Sequence, residues 1–255
     1  MKTTIRFIAI ALFSLMLPVW AVAQITVTSN ITTDTTWQIT DSPVTVQSTI
    51  TISDGVTLTI SPGVTVQMGA NASILVEGAL VADGTDSDRV LFTSAAAVPA
   101  TGDWGSIEFL SNTDNGSVID YVTMEYGAGA DRSGMIFYKT GAFGVNLTNS
   151  IFRNSAVHGV NLRASSPVIS NSEFYDNGGY GVYTDNSLSF TVEQSTLYNN
   201  TIGGIRVPIN SAAMISGSVI ENNGLGILID NGALPTIINN QITQNGTGIR
   251  VIEVR

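Results

Sequence analysis

Residues 151–160 read IFRNSAVHGV, 174–182 FYDNGGYGV, 197–205 LYNNTIGGI, 220–228 IENNGLGIL and 242–250 ITQNGTGIR. Aligned on Asn154, Asn177, Asn200, Asn223 and Asn245, these segments recur every 22 or 23 residues. A second column, Gly159, Gly181, Gly204, Gly226 and Gly248, keeps step with the first. Two columns in step over five segments define an internal repeat, and a repeat must be read before any single element.

Inside each repeat the apolar residues alternate, as a strand with one buried face requires. Val160/Leu162, Val182/Thr184, Ile205/Val207, Ile227/Ile229 and Ile249/Val251 form one inward set. Ile169, Val192, Ile215 and Ile238 form a second, and Ile151, Phe174, Leu197, Ile220 and Ile242 a third. Three short strands cannot close a core within one repeat, but stacked repeats can, at about 4.8 Å per coil. The expected fold is all-β: a single-stranded parallel β-helix, a solenoid with three strands per 22–23-residue coil. A leucine-rich horseshoe has a similar period but needs a leucine framework with one strand and a helical return, and this chain offers β-branched residues in three places instead.

Asparagine tolerates left-handed dihedrals, and its amide both donates and accepts, so the Asn column is expected to turn the chain and to hydrogen-bond up the stack. The glycines are expected at the same bends. Before residue 150 the strand-like runs PVTVQSTITI, GVTLTI, GVTVQM, ASILVEGALVA and RVLFTS suggest earlier, looser coils. Residues 24–50 are expected to form an N-terminal cap or irregular first coil and 51–255 the β-helix proper. GIRVIEVR stops just after a Gly corner, which leaves open a truncated chain, further domains, or an end that docks on a partner or on another copy.

The chain has 255 residues, no Cys and a net charge of −10, from 20 Asp+Glu against 10 Lys+Arg. A surface of that sign repels phosphate backbones, so nucleic acid is not an expected partner. Residues 1–23, MKTTIRFIAIALFSLMLPVWAVA, place Lys2 and Arg6 before an apolar run and Ala21-Val22-Ala23 before Gln24. That is the pattern of a secretory signal peptide; the run is too short for a bilayer span, and no later stretch supplies one, so membrane insertion is not expected. The product is expected to be secreted, periplasmic or at the cell surface. Without cysteine, its stability has to come from burial and hydrogen bonding.

Residues 50–255 resemble secreted right-handed parallel β-helix repeat proteins of the pectin-lyase-like superfamily. The resemblance rests on GVTLTISPGVTVQM (55–68), GALVADGTDSDRVLFTS (78–94), GDWGSIEF (102–109), VIDYVTMEYG (118–127) and the NxxxxG repeats that follow. It implies the right hand of the coil and a carbohydrate connection, because that superfamily includes polysaccharide lyases, hydrolases and many non-catalytic surface proteins. Fold does not imply catalysis.

Asn112-Thr113-Asp114 matches a short motif of polygalacturonase-type hydrolases, but an inverting hydrolase needs paired carboxylates, and the chain has no Asp-Asp, Gly-His-Gly or Arg-Ile-Lys. A lyase needs a base such as Arg or Lys and a Ca²⁺ held by clustered carboxylates. Asp83, Asp86 and Asp88 come nearest to such a cluster but read as a solvated turn, so no cofactor is expected and Ca²⁺ is the alternative. A single His and no Cys argue against a soft-metal role. Trp37 and Trp104 read as core or cap residues.

The outward positions carry the candidate binding residues. Arg163, Tyr183, Asp185, Arg206, Asp230 and Arg250 form a mixed polar strip, and Phe152, Tyr175 and Tyr198 form an aromatic column from consecutive coils. Aromatic faces flanked by hydrogen-bonding groups suit sugar rings. The expectation is an exported non-catalytic module with a structural, adhesive or carbohydrate-binding role at the bacterial cell surface, its partner a polysaccharide or cell-surface glycan. The alternative is a polysaccharide lyase or glycoside hydrolase acting on acidic polysaccharide.

Overall fold

A computed structural model describes residues 24–111, 113, 116–129, 133–139, 145–186 and 189–252. The signal sequence expected over 1–23 lies outside them, as do Asn112 and Asp114 of the hydrolase-like triplet. Among the described residues the strands form three parallel sheets of ten, nine and nine strands. Sheet 1 runs from Ile25–Val27 to Gln241–Thr243, sheet 2 from Ile50–Ile52 to Thr247–Val251, and sheet 3 from Thr35–Trp37 to Thr236–Ile238. The chain visits them in rotation, so each strand pairs with its equivalents one coil before and one coil after. The only helical element among these residues is a 3-10 turn at Ile39–Asp41. This is the three-strand solenoid that the repeat predicts.

The core is a column of inward side chains from all three sheets. Val160, Val182, Ile205 and Ile227 stack from sheet 2, and Ile169, Val192 and Ile215 from sheet 3, all fully or almost fully buried. Trp104 is buried with its indole N–H donated to the Glu125 carbonyl at 2.8 Å, and Trp37 is also buried.

In two places the register departs by one residue from the sequence alignment. Phe152 pairs with Phe174 and Ile151 with Glu173, so Phe152 is the inward residue and Ile151 flanks it. Phe152 is fully buried, its ring stacked on Phe174 at 4.9 Å. It therefore does not belong to the outward aromatic column. In sheet 3, Ile215 pairs with Ile237, and the expected core residue Ile238 is instead 47% exposed.

The same shift separates two roles that the sequence reading gave to one asparagine. The residues with left-handed backbone are Asn154, Asp176, Asn199, Asn222 and Gln244, with φ between 54° and 56°. The ladder is made by the residue after each: Ser155, Asn177, Asn200, Asn223 and Asn245. Asn177 Nδ2 donates to Asn200 Oδ1 at 2.8 Å, and Asn200 Nδ2 to Asn223 Oδ1 at 2.9 Å. Each amide also donates to a carbonyl in the coil below, Asn200 to Phe174 O and Asn223 to Leu197 O, both at 2.9 Å. Thus Asn154 turns the chain, and Ser155 caps the ladder through its N–H to Asn177 Oδ1.

A second ladder, unnoticed in the sequence, occupies the next corner. The backbone N–H groups of Ser150, Ser172 and Ser195 donate to the hydroxyls of Ser172, Ser195 and Ser218, and Ser218 N donates to Asn240 Oδ1. Each of these serine hydroxyls in turn donates to the carbonyl two residues before it. Both corners are thereby satisfied without water, as buried backbone groups require.

The glycine column is not a set of bends. None of its members has positive φ. A Cβ on Gly181 would lie 2.8 Å from Phe174 Cβ, and one on Gly204 2.7 Å from Ile220 Cγ2. Glycine stands there because sheet 2 passes close over the inward residues of sheet 1.

Replacing Asn200 by Ala removes the side-chain donor to the Phe174 carbonyl and the Oδ1 that accepts from Asn177 Nδ2 in a dry corner, a cost of about 2–4 kcal/mol. Asn245→Ala, in the half-exposed last ladder position, is expected to cost less than half of that. Denaturant unfolding of the two variants measures both.

Candidate functional site

Parallel stacking turns outward positions of successive coils into continuous columns, so side chains 22 to 24 residues apart become neighbours. On sheet 1 the register places Thr93, Glu125, Arg153, Tyr175, Tyr198 and Glu221 in one line. Arg153 bonds Glu125 through Nε and Nη2, at 2.8 and 2.7 Å, and donates Nη1 to the Tyr175 hydroxyl at 3.0 Å. Tyr175 and Tyr198 are stacked at 4.7 Å with ring planes 10° apart. The Arg153 guanidinium covers the other face of Tyr175 at 6.0 Å. Burial pushes the Tyr198 phenol upward, with Tyr175 adding to the effect. The expected pair therefore exists, but the rings lie along the axis and show their edges. An aromatic ring binds a sugar through its face, and three of these four faces are occupied.

On sheet 2, one outward column contains Glu108, Phe137, Asn161, Tyr183, Arg206, Leu228 and Arg250. Three of the sequence candidates meet here with a residue that was not among them. The His158 ring stacks on Tyr183 at 4.2 Å with planes 5° apart, and the Arg206 guanidinium lies over Tyr183 at 4.9 Å. Arg206 donates Nη1 to the Tyr183 hydroxyl at 2.7 Å and Nη2 to Asp230 at 2.6 Å. Tyr180 packs beside both rings. His158, Tyr183, Arg206 and Asp230 form a cluster across four coils, closed to further stacking partners.

His158 is 8% exposed, and its Nδ1 accepts the Tyr180 backbone N–H at 2.9 Å. That bond fixes the neutral tautomer with the proton on Nε2. Burial, with the nearby Arg206 charge second, lowers the His158 pKa from 6.5 to about 4. An imidazole whose lone pair is already engaged is not a general base. Burial likewise raises the Tyr180 phenol.

The open part of this face lies one to three coils toward the N-terminus. A cleft of about 300 Å³ is lined by Ser111, Phe137, Lys139 and Arg163. Phe137 is half-buried, while Lys139 and Arg163 are exposed. Lys139 Nζ lies 3.2 Å from the buried Glu108 carboxylate. Arg163 pairs in register with Asp185 but makes no ion pair among the described residues. Next to it, Asn161 is buried; its amide donates to the Ser133 hydroxyl at 2.6 Å, and its Oδ1 accepts no bond from the described residues.

Of the residues predicted from sequence, Tyr183, Arg206 and Asp230 come together. Arg163 joins the cleft, Asp185 and Arg250 stay on the same face, Tyr175 and Tyr198 belong to another face, and Phe152 is in the core. Phe137 and Ser111 were missed, as was Lys139 as a binding residue. The register joins Ile74 to Ile107 and Ile107 to Ile136, spacings well beyond the 23-residue period, so these coils do not align by eye. Among the described residues no group of three or more His, Asp or Glu side chains is placed to hold a metal ion. Asp86 faces Arg89 at 3.7 Å, and Asp88 accepts from the Ser87 hydroxyl at 2.7 Å, so the acidic turn is spent on local contacts. No helix among these residues is long and apolar enough to cross a membrane.

These features define a parallel β-helix in which four of the six described Lys and Arg residues, Lys139, Arg163, Arg206 and Arg250, stand on sheet 2 or at its edge. Residues 109–253 match the family model for the right-handed beta helix region, and residues 29–140 that for the pectate-lyase like beta helix domain. The chain belongs to the right-handed β-helix family. A solved structure, that of alginate lyase from Paenibacillus sp. str. FPU-7, aligns with 85% of this chain and 99% of its own at 15% identity and a TM-score of 0.40. No curated protein matches the chain.

His158 makes stability depend on pH. Because its folded pKa is lowered, the unfolded chain takes up the proton first, and stability is full above about pH 6.5 and is lost as pH falls toward about 4. The loss attributable to this residue is about 3 kcal/mol. His158→Gln, whose amide oxygen accepts the same N–H without titrating, is expected to remove that component from the difference between unfolding midpoints at neutral and acid pH.

Proposed function

We propose that this protein is an exported, non-catalytic β-helix that binds an acidic saccharide on the outer face of sheet 2 at the bacterial cell surface. The observation that carries the reading is the cleft formed by Phe137, Lys139, Arg163 and Ser111. Phe137 supplies apolar ring surface for the C–H face of a sugar, the two cations suit a carboxylate, and a serine hydroxyl lies beside them. This concentration of positive charge stands on a chain whose net charge is −10. The face is built from strands, which hold side chains at fixed spacing over many coils, as an extended polymer requires.

Three observations favour binding over turnover. The His158 lone pair is held by the Tyr180 N–H. Asp230, Glu125 and Glu108 each face a cation, which leaves none of these carboxylates placed as a general acid. No carboxylate group suited to Ca²⁺ is assembled among the described residues. Export is supported by the charged, apolar and small-residue order of residues 1–23.

Calorimetric titration with uronate oligosaccharides, alongside neutral oligosaccharides of equal length, tests the reading. Binding of the acidic series alone is expected, weakened about tenfold or more by Lys139→Ala or Arg163→Ala, each removing a charge-assisted contact. No unsaturated uronates or new reducing ends should appear, with or without Ca²⁺. Product release would establish the lyase or hydrolase alternative, and failure of every acidic saccharide to bind would remove the carbohydrate role.

A further inference from the structure

Three members of the asparagine ladder, Asn177, Asn223 and Asn245, are each followed by glycine; Asn200 is followed by Thr201. Asn-Gly is the dipeptide most prone to deamidation, because glycine neither shields its own amide nitrogen nor restrains the turn that brings that nitrogen onto the side-chain carbon. The fold forces this combination. The ladder needs the carboxamide, and the next position allows no side chain in these coils: a Cβ on Gly178 would strike the Ala156 carbonyl, and one on Gly224 would lie 2.5 Å from the Thr201 carbonyl.

The folded chain closes the reaction on both sides. In Asn177, Oδ1 accepts the Ser155 N–H, while Nδ2 donates to Phe152 O and Asn200 Oδ1. In Asn223, Oδ1 accepts from Asn200, and Nδ2 donates to Leu197 O and Asn245 Oδ1. The attacking nitrogens are bound as well, Gly178 N to Ser155 O at 2.9 Å and Gly224 N to Asn200 O at 3.2 Å. Asn177 and Asn223 are 1% and 3% exposed. Asn231–Gly232 is the contrast. It lies in a turn closed by Ala233 N to Asp230 O, Gly232 has φ of 75°, and neither the Asn231 carboxamide nor the Gly232 N–H bonds to a described residue.

We propose that Asn231 is the deamidation site of the folded protein, and that Asn177 and Asn223 are latent sites which the ladder holds closed and unfolding opens. In each, the glycine nitrogen attacks Cγ and gives its proton to solvent, a C–N bond forms, and Nδ2 takes up a proton from solvent and leaves as ammonia as the Cγ–Nδ2 bond breaks. Water then opens the succinimide to aspartate or isoaspartate. At Asn231 this sets a second carboxylate beside Asp230, the partner of Arg206. At Asn177 it replaces a donor by a carboxylate facing the Phe152 carbonyl and Asn200 Oδ1, two acceptors, so a chain modified there cannot rebuild the corner. Unfolding thus becomes chemically irreversible with time.

Peptide mapping by mass spectrometry, after incubation at mildly alkaline pH with and without denaturant, tests this. Asn115, also before glycine, lies outside the described residues and is read apart. In the folded protein, Asn231 is expected to convert roughly tenfold or more faster than Asn177 and Asn223. In denaturant, Asn177 and Asn223 are expected to reach the Asn231 rate while Asn200 stays slow, and the refoldable fraction should fall as they convert. Conversion of Asn177 and Asn223 at the Asn231 rate in the folded protein would overturn the proposal. So would equal rates at Asn177 and Asn200 in denaturant, or full refolding of chains modified at Asn177.

Discussion

Each coil leaves donors and acceptors at its corners that only the neighbouring coil can satisfy. The Asn ladder closes one corner, with each carboxamide bridging to the next coil and reaching back to a carbonyl of the coil before. The serine ladder closes another through backbone N–H to hydroxyl bonds. No coil could hold such a corner alone, because an unpaired backbone group in a dry interior costs as much as a lost hydrogen bond. The apolar column between the corners, from Val44 to Ile229, is continuous for the same reason. Stability in such a solenoid is set by nearest-neighbour interfaces, and the polar ladders fix which residue faces which.

That register decides the surface. Once the coils stack in one phase, outward residues must form columns, and neighbouring columns acquire different characters. On sheet 1, Glu125, Arg153, Tyr175 and Tyr198 satisfy one another along the axis. On sheet 2, His158, Tyr183, Arg206 and Asp230 do the same, and their ring faces and charges are used internally. The cleft at Phe137, Lys139 and Arg163 is where exposed cations stand beside an apolar ring that is not stacked in this way. A sheet packed with mutually satisfied side chains can therefore be rigid at one end and receptive a few coils away. The proposed function draws on that difference.

The three-strand coil, its period and the sheet 2 core were legible because alternation and repeat length survive small errors of alignment. What failed was phase. Aligning Asn154 with Asn177 is natural by identity, yet Ser155 is the ladder residue and Asn154 the left-handed one. A slip of one residue turns every side chain to the opposite face, so the error put Phe152 outside and Ile151 inside. The glycines were legible as a column but not in their role, since close approach to Phe174 and Ile220 depends on the path of a different sheet. Tyr183, Arg206 and Asp230 were found because their coils keep the period. Phe137 and Ser111 were not, because their coils carry insertions, and His158 gave no signal because its stack on Tyr183 joins positions offset along neighbouring strands.

The most direct test is a pair of double-cysteine variants, which the absence of native cysteine makes unambiguous. Arg153 and Tyr175 are register partners on adjacent strands of sheet 1, within reach of a disulfide. Oxidation of Arg153→Cys/Tyr175→Cys is expected to give an intramolecular crosslink in the folded protein, and Phe152→Cys/Tyr175→Cys to give none. The opposite result would mean that the coils stack in another phase, and the ladders, the core and the outer columns described above would all be wrong together.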